Sequence, residues 1–200
     1  MTFSDKIKDL PYQIQILIFL GPFFLIPVFD KNTYHLDLLT GVGIFALLAM
    51  GLNVVVGFTG LLNLGYAAFF AIGAYTYALL NLHWQWSFWC GLPMAGFVSM
   101  LFGFLIGIPS IRVRGDYLAI TTLGFGEITR IAFNNLDQWT GGPNGLLGID
   151  RPRFFGIVFS VNPTPYFYLV LVMIVVTAFL LFRLCRSKIG RALVAVREDE

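Results

Sequence analysis

Glu127 and Arg130 are the residues of this chain best placed to do chemistry. A carboxylate and a guanidinium sit three positions apart inside the apolar run 117–134. At 100° per residue on a helix, Asp116, Leu123, Glu127, Arg130 and Asn134 share one narrow face, and Leu118, Thr121, Thr122, Phe125 and Ile128 take the other sides. A stripe of that kind can line a polar path through a membrane. An ionisable group at the centre of a spanning helix costs about 2.5–3.5 kcal/mol on insertion scales, so it meets a partner or faces water. The alternative is a structural pair, in which each charge neutralises the other and Arg130 reaches toward the interface.

Enzyme chemistry finds no comparable footing. The sequence has no G-x-x-x-x-G-K-[ST] phosphate loop, and Gly124-Phe125-Gly126 lacks the third glycine of a dinucleotide fingerprint. Neither His35 nor His83 has companions at metal-ligand or triad spacing. The expectation is a chain that is no enzyme and holds no cofactor or metal. Cys90 and Cys185 make no disulfide framework and read as small buried hydrophobes.

The elements that carry the stripe follow from composition. The chain is 58% hydrophobic and 12% charged, with 21 Phe and a mean hydropathy of +0.79. A soluble domain carries roughly 25% charged residues. The sequence therefore predicts an all-α integral membrane protein, a polytopic transmembrane helix bundle with the lipid bilayer around it. A net charge of +2 without a basic block gives no reason to expect nucleic acid.

Apolar runs predict about six spans, at residues 12–29, 38–56, 61–80, 87–108, 117–134 and 166–184. Residues 57–60, Gly-Phe-Thr-Gly, interrupt the pattern between Asn53 and Asn63. They read as a tight connection, with the unwound backbone of a transport site as the other possibility. In the fourth span Gly91, Ala95, Ser99, Gly103 and Gly107 recur every four residues, a stripe that lets another helix approach to backbone contact. The connection 136–165 holds the turn sequence Thr-Gly-Gly-Pro-Asn-Gly at 140–145. Its apolar patch 154–161 is too short to cross a hydrocarbon core of about 30 Å.

Lysine and arginine set the expected orientation. Arg112 and Arg114 fall between the fourth and fifth spans, and Arg183, Arg186, Lys188, Arg191 and Arg197 follow the last. Both groups then share the cytoplasmic side with the two termini, and Trp84, Trp86, Trp89 and Trp139 lie at the opposite interface. Arg130, Arg151 and Arg153 run against that rule. In the tail, Ile189, Ala192, Leu193 and Val196 follow the spacing of an amphipathic helix, fit to lie on a membrane or in a partner's groove.

Four stretches together carry a resemblance: GLNVVVGFTGLLNLGYAAFFAIGAY (51–75), RGDYLAITTLGFGEITRI (114–131), TGGPNG (140–145) and IGRALVAVREDE (189–200). From about residue 41 onward the chain resembles the permease subunits of bacterial branched-chain amino-acid ABC importers, in particular the M-type subunits of leucine/isoleucine/valine systems. The resemblance implies a multi-pass protein of the bacterial cytoplasmic (inner) membrane. Its implied partners are a second permease subunit, two cytoplasmic ABC ATPases that hydrolyse ATP, and a periplasmic or lipid-anchored substrate-binding protein. It divides the chain into a transmembrane permease bundle, 1–186, and a cytoplasmic coupling helix, 187–200, whose Ile189, Gly190, Arg191, Leu193, Arg197 and Glu198 would meet the ATPase. Such permeases continue past this segment into further spans, so the chain reads as an N-terminal portion. A permease for urea or short amides would look similar. An ion-coupled carrier or channel, or a scaffold whose stripe only fixes packing, are the readings from other classes.

Overall fold

The computed structural model describes residues 32–110, 116–154, 157–158 and 163–198, with 21, 23–27 and 29 before them. Helix α1 runs Thr33–Asn53 and passes into a π-helical turn, Val54–Phe58. After the irregular residues 60–65 come α2 (Tyr66–Trp84), α3 (Phe88–Ser110) and α4 (Asp116–Asn135). A short α5 (Asp137–Thr140) and a 3-10 turn (Gly142–Asn144) lead to a two-stranded antiparallel hairpin, β1 (Arg153–Phe154) and β2 (Ile157–Val158). Two further helices close the chain, α6 (Thr164–Cys185) and α7 (Lys188–Glu198). Most of the first expected span, Arg112, Arg114 and most of the patch 154–161 fall outside the described residues.

Three helical stretches among the described residues are long and apolar enough to cross a membrane: Thr33–Phe58, Phe88–Ile108 and Thr164–Cys185. Helices α2 and α4 have 19 and 20 residues, about 30 Å at 1.5 Å per residue, but carry more polar side chains. Large apolar side chains stand on the outside throughout, among them Phe45, Phe97, Phe104 and Leu180. That inversion suits a helix bundle whose solvent is hydrocarbon.

The chain forms two compact units, residues 1–54 with 160–200, and residues 55–159. In the first, α1 packs on α6 through Leu36, Phe167 and Leu171, with Ile26, Leu39, Tyr168 and Val175 around them. A Cβ at Gly43 would lie 2.6 Å from Val170 and 3.5 Å from Ile174. Leu36 opposite 167–171 and Gly43 opposite 170–174 make the two helices parallel. Parallel neighbours need an even displacement in the order of crossings, as the second and sixth expected spans have. Asn32 starts α1 by accepting the Tyr34 N–H on its side chain at 3.1 Å.

In the second unit α3 runs back along α2. Gly91 meets the Tyr77 ring, Ser99 donates its hydroxyl to the Phe69 carbonyl at 3.1 Å, and Gly73 lies against Ser99. Helix α4 is parallel to α2, with Phe69 against Phe125 (5.6 Å between ring centres) and Tyr75 against Phe133 (4.5 Å). The far ends of α2 and α4 meet the connection that follows. Asn81, buried, accepts the Asp150 N–H at 2.7 Å and donates to the Trp86 carbonyl at 3.0 Å. Trp89 donates to the Arg153 carbonyl at 2.9 Å. The 140–145 sequence forms a tight turn with Gly141, Gly142 and Gly145 at positive φ, and the buried Thr140 hydroxyl accepts the Gly142 N–H. Trp84, Trp86, Trp89 and Trp139 all belong to this end of the unit.

Candidate functional site

The break between α1 and α2 is more than a link. Thr59, buried, turns its hydroxyl back to the Val55 carbonyl and so closes the π turn. Residues 60–65 then run without helix, and side chains supply hydrogen bonds that a helix would have made. Leu64 N–H donates to the Thr122 hydroxyl at 3.1 Å, and Gly65 N–H to the Asn63 side chain at 3.0 Å. Gly65 itself lies against the Thr122 carbonyl and against Gly126, on the second and third turns of α4. Helix α2 therefore begins partway along α4 rather than level with its end. Non-helical backbone at such depth is tolerated in a membrane only where protein covers it or water reaches it. Broken helices of transporters present this geometry around their solutes.

The packed side of α4 consists of Leu118, Ala119, Thr122 and Thr129, all buried, with Phe125, Gly126 and Phe133 beside them. Leu123, Glu127, Arg130 and Asn134 lie on the exposed side. Glu127 and Arg130 form a two-point ion pair: Nε donates to Oε2 at 3.0 Å and Nη2 to Oε1. Their side chains keep 53% and 62% of their surface open, so the unit leaves the pair uncovered. Asn134 is exposed near the end of the helix, and Asp116 opens it, its side chain outside the described residues. The stripe expected on one face thus has its middle members together on the side of α4 that α2 does not cover.

The small-residue stripe of α3 falls into two parts. Gly91, Ala95, Ser99 and Gly103 face α2, with Ala95 buried and Gly103 facing Phe69 at 3.8 Å. Gly107 has nothing among the described residues within 4 Å of where its Cβ would be. The α2 contact therefore uses the stripe as far as Gly103, since α2 begins at Tyr66. Pattern reading missed Gly65, Gly126 and Thr122. Their only sequence signal was a small residue at 65 and another at 126, far apart in the chain.

The tail joins α6 through an elbow of two residues, Arg186 and Ser187. The Ser187 hydroxyl accepts the Gly190 N–H at 3.1 Å and donates to the Leu184 carbonyl at 2.7 Å. Gly190 is buried, and a Cβ there would strike the Leu184 carbonyl. Beyond it Ile189, Arg191, Ala192 and Val194 are exposed and Leu193 half-buried. The side chains of Val196, Arg197 and Glu198 fall outside the described residues.

Long apolar helices, packed through glycine and serine and interrupted by a stretch of non-helical backbone that is anchored on α4 at Leu64 and Gly65, define a polytopic helix bundle of the membrane. Residues 34–200 match the family described as branched-chain amino acid transport system / permease component, and the chain belongs to that family. It is 42% identical to the high-affinity branched-chain amino acid transport system permease protein LivM of Salmonella typhimurium (strain LT2), over 90% of this chain and 53% of the relative. It is 41% identical to the protein of the same name from Escherichia coli (strain K12), over the same shares. The chain thus spans about half the length of these curated relatives. No solved structure is a significant match.

Proposed function

We propose that this chain belongs to one of two membrane-spanning permease subunits of an ATP-driven importer for branched-chain amino acids. It lies in the bacterial inner membrane, with both ends of the chain cytoplasmic. It contributes α4 and the 60–65 segment to the translocation path, and α7 to a docking site for a cytoplasmic ATPase. One observation carries the transport reading: the Glu127–Arg130 pair lies on the side of α4 that its own unit leaves open. An ion pair turned to hydrocarbon is costly, so this face meets water or the second permease subunit. The pair is already neutral as a whole, which suits passage of a zwitterionic solute better than carriage of a proton. The substrate class rests on the likeness to the two LivM proteins. Energy comes from two ATPase subunits, and delivery from a periplasmic or lipid-anchored binding protein.

The test is uptake by the complete complex in proteoliposomes, with binding protein outside and ATP inside. Labelled leucine should enter only when ATP is present. Entry driven by a proton gradient without ATP would make the protein an ion-coupled carrier. Uptake of urea in place of leucine would assign it to the related amide importers.

A further inference from the structure

We infer that the elbow between α6 and α7 is a binding site for the headgroups of anionic phospholipids. Arg183, Arg186 and Lys188 occupy the last turn of α6, the elbow and the first turn of α7, and all three are exposed. No aspartate or glutamate occurs between Asp150 and Glu198. Among the residues of this unit whose side chains are described the one carboxylate is Asp37, in the second turn of α1. Because α1 and α6 run parallel, Asp37 belongs to the opposite end of the pair. None of the three cations has a carboxylate partner among the described residues; Arg186 rests on the face of Phe182, 4.2 Å from the ring centre.

Position selects the occupant. The cluster ends a helix long and apolar enough to cross the bilayer, so it stands at headgroup level, where a phosphate is the nearest anion. The aromatic ring beneath Arg186 holds the guanidinium at that level. The Ser187 hydrogen bonds and the close approach of Gly190 to Leu184 hold the backbone of the elbow in one register between α6 and α7. The three cations thus stand on a fixed turn of backbone. Arg183 and Arg186 lie before α7, and Lys188 opens it ahead of Ile189, Arg191 and Leu193 on the side proposed to meet the ATPase.

A cation near an anionic membrane surface contributes about a five-fold preference. The complete complex would be placed in nanodiscs of mixed phosphatidylcholine and phosphatidylglycerol, then weighed by native mass spectrometry with retained lipid. The parent should retain phosphatidylglycerol over phosphatidylcholine. The Arg183→Gln/Arg186→Gln/Lys188→Gln variant should lose that preference by about ten-fold or more. The variant Arg183→Lys/Arg186→Lys, which keeps the charges, should retain it and guards against a folding defect. Equal retention of the two lipids by the parent overturns the proposal. So does unchanged phosphatidylglycerol retention by the triple glutamine variant. A variant that keeps the lipid but loses the ATPase would assign the cations to the protein partner and likewise overturn it.

Discussion

Gly65 lies against the main-chain carbonyl of Thr122, and no side chain fits between them. Its φ of −89° is open to any residue, so contact alone demands glycine. Gly65→Ala should therefore loosen α2 from α4. Overpacking typically costs about 1–3 kcal/mol, and a backbone obstacle cannot swing aside as a side chain would. Thermal melting of the purified protein in detergent checks this, with Gly124→Ala as the control, since a Cβ at Gly124 meets no described residue within 4 Å. Equal melting of the two variants would show that Gly65 and Thr122 are not in contact.

The α3 stripe makes a graded prediction. Gly91→Leu should destabilise most, against the Tyr77 ring, and Gly103→Leu less, against Phe69. Gly107→Leu should melt like the parent in the isolated chain. A loss confined to Gly107→Leu in the assembled complex would mark that end of α3 as a contact with another subunit.

Glu127→Gln leaves Arg130 without its counter-charge on the open face of α4. In the complete complex it should lower transport and leave assembly intact. Exchange of the two residues, Glu127→Arg with Arg130→Glu, should likewise leave assembly intact, because the pair re-forms with its charges reversed. Should the exchanged protein also transport at the parent's rate, the pair is structural and the path lies elsewhere.

The tail is tested at two points. Leu193→Asp puts a carboxylate on the apolar face of α7, where an unpaired buried charge costs several kcal/mol. It should abolish ATPase co-purification and binding-protein-stimulated hydrolysis while membrane insertion is unchanged. Ser187→Ala removes the cap and should cost about 1 kcal/mol of helix stability, read as a partial loss of the same coupling. Retained co-purification and stimulation in Leu193→Asp would remove α7 from the interface.

Class and span positions were legible in the sequence because both depend on short-range patterns. Apolar runs of the right length gave α1, α3 and α6 to within a few residues, and the four-residue spacing gave most of the α2–α3 contact. The start of α2 was less legible. An apolar run from residue 61 suggested helix, but Gly65 and the Thr122 hydroxyl satisfy the backbone differently, and α2 starts at Tyr66. That choice depends on a residue far along the chain, which no local pattern records. The Glu127–Arg130 pair was legible as a pair. Its exposure was not, because a helical wheel shows which residues share a face and not what covers it.

The first unit is assembled from the two ends of the described chain. Leu36 on α1 has Phe167 and Leu171 as its core partners, and all of the second unit, residues 55–159, lies between them in sequence. During synthesis α1 must therefore wait in the membrane, its packing face open to lipid or to an insertion factor, until α6 emerges. Domains generally fold as they are made, N-terminal part first, and here that order is reversed for one pair of helices. A ribosome stalled before residue 160 would have released every residue of the second unit while α1 still lacked Phe167 and Leu171.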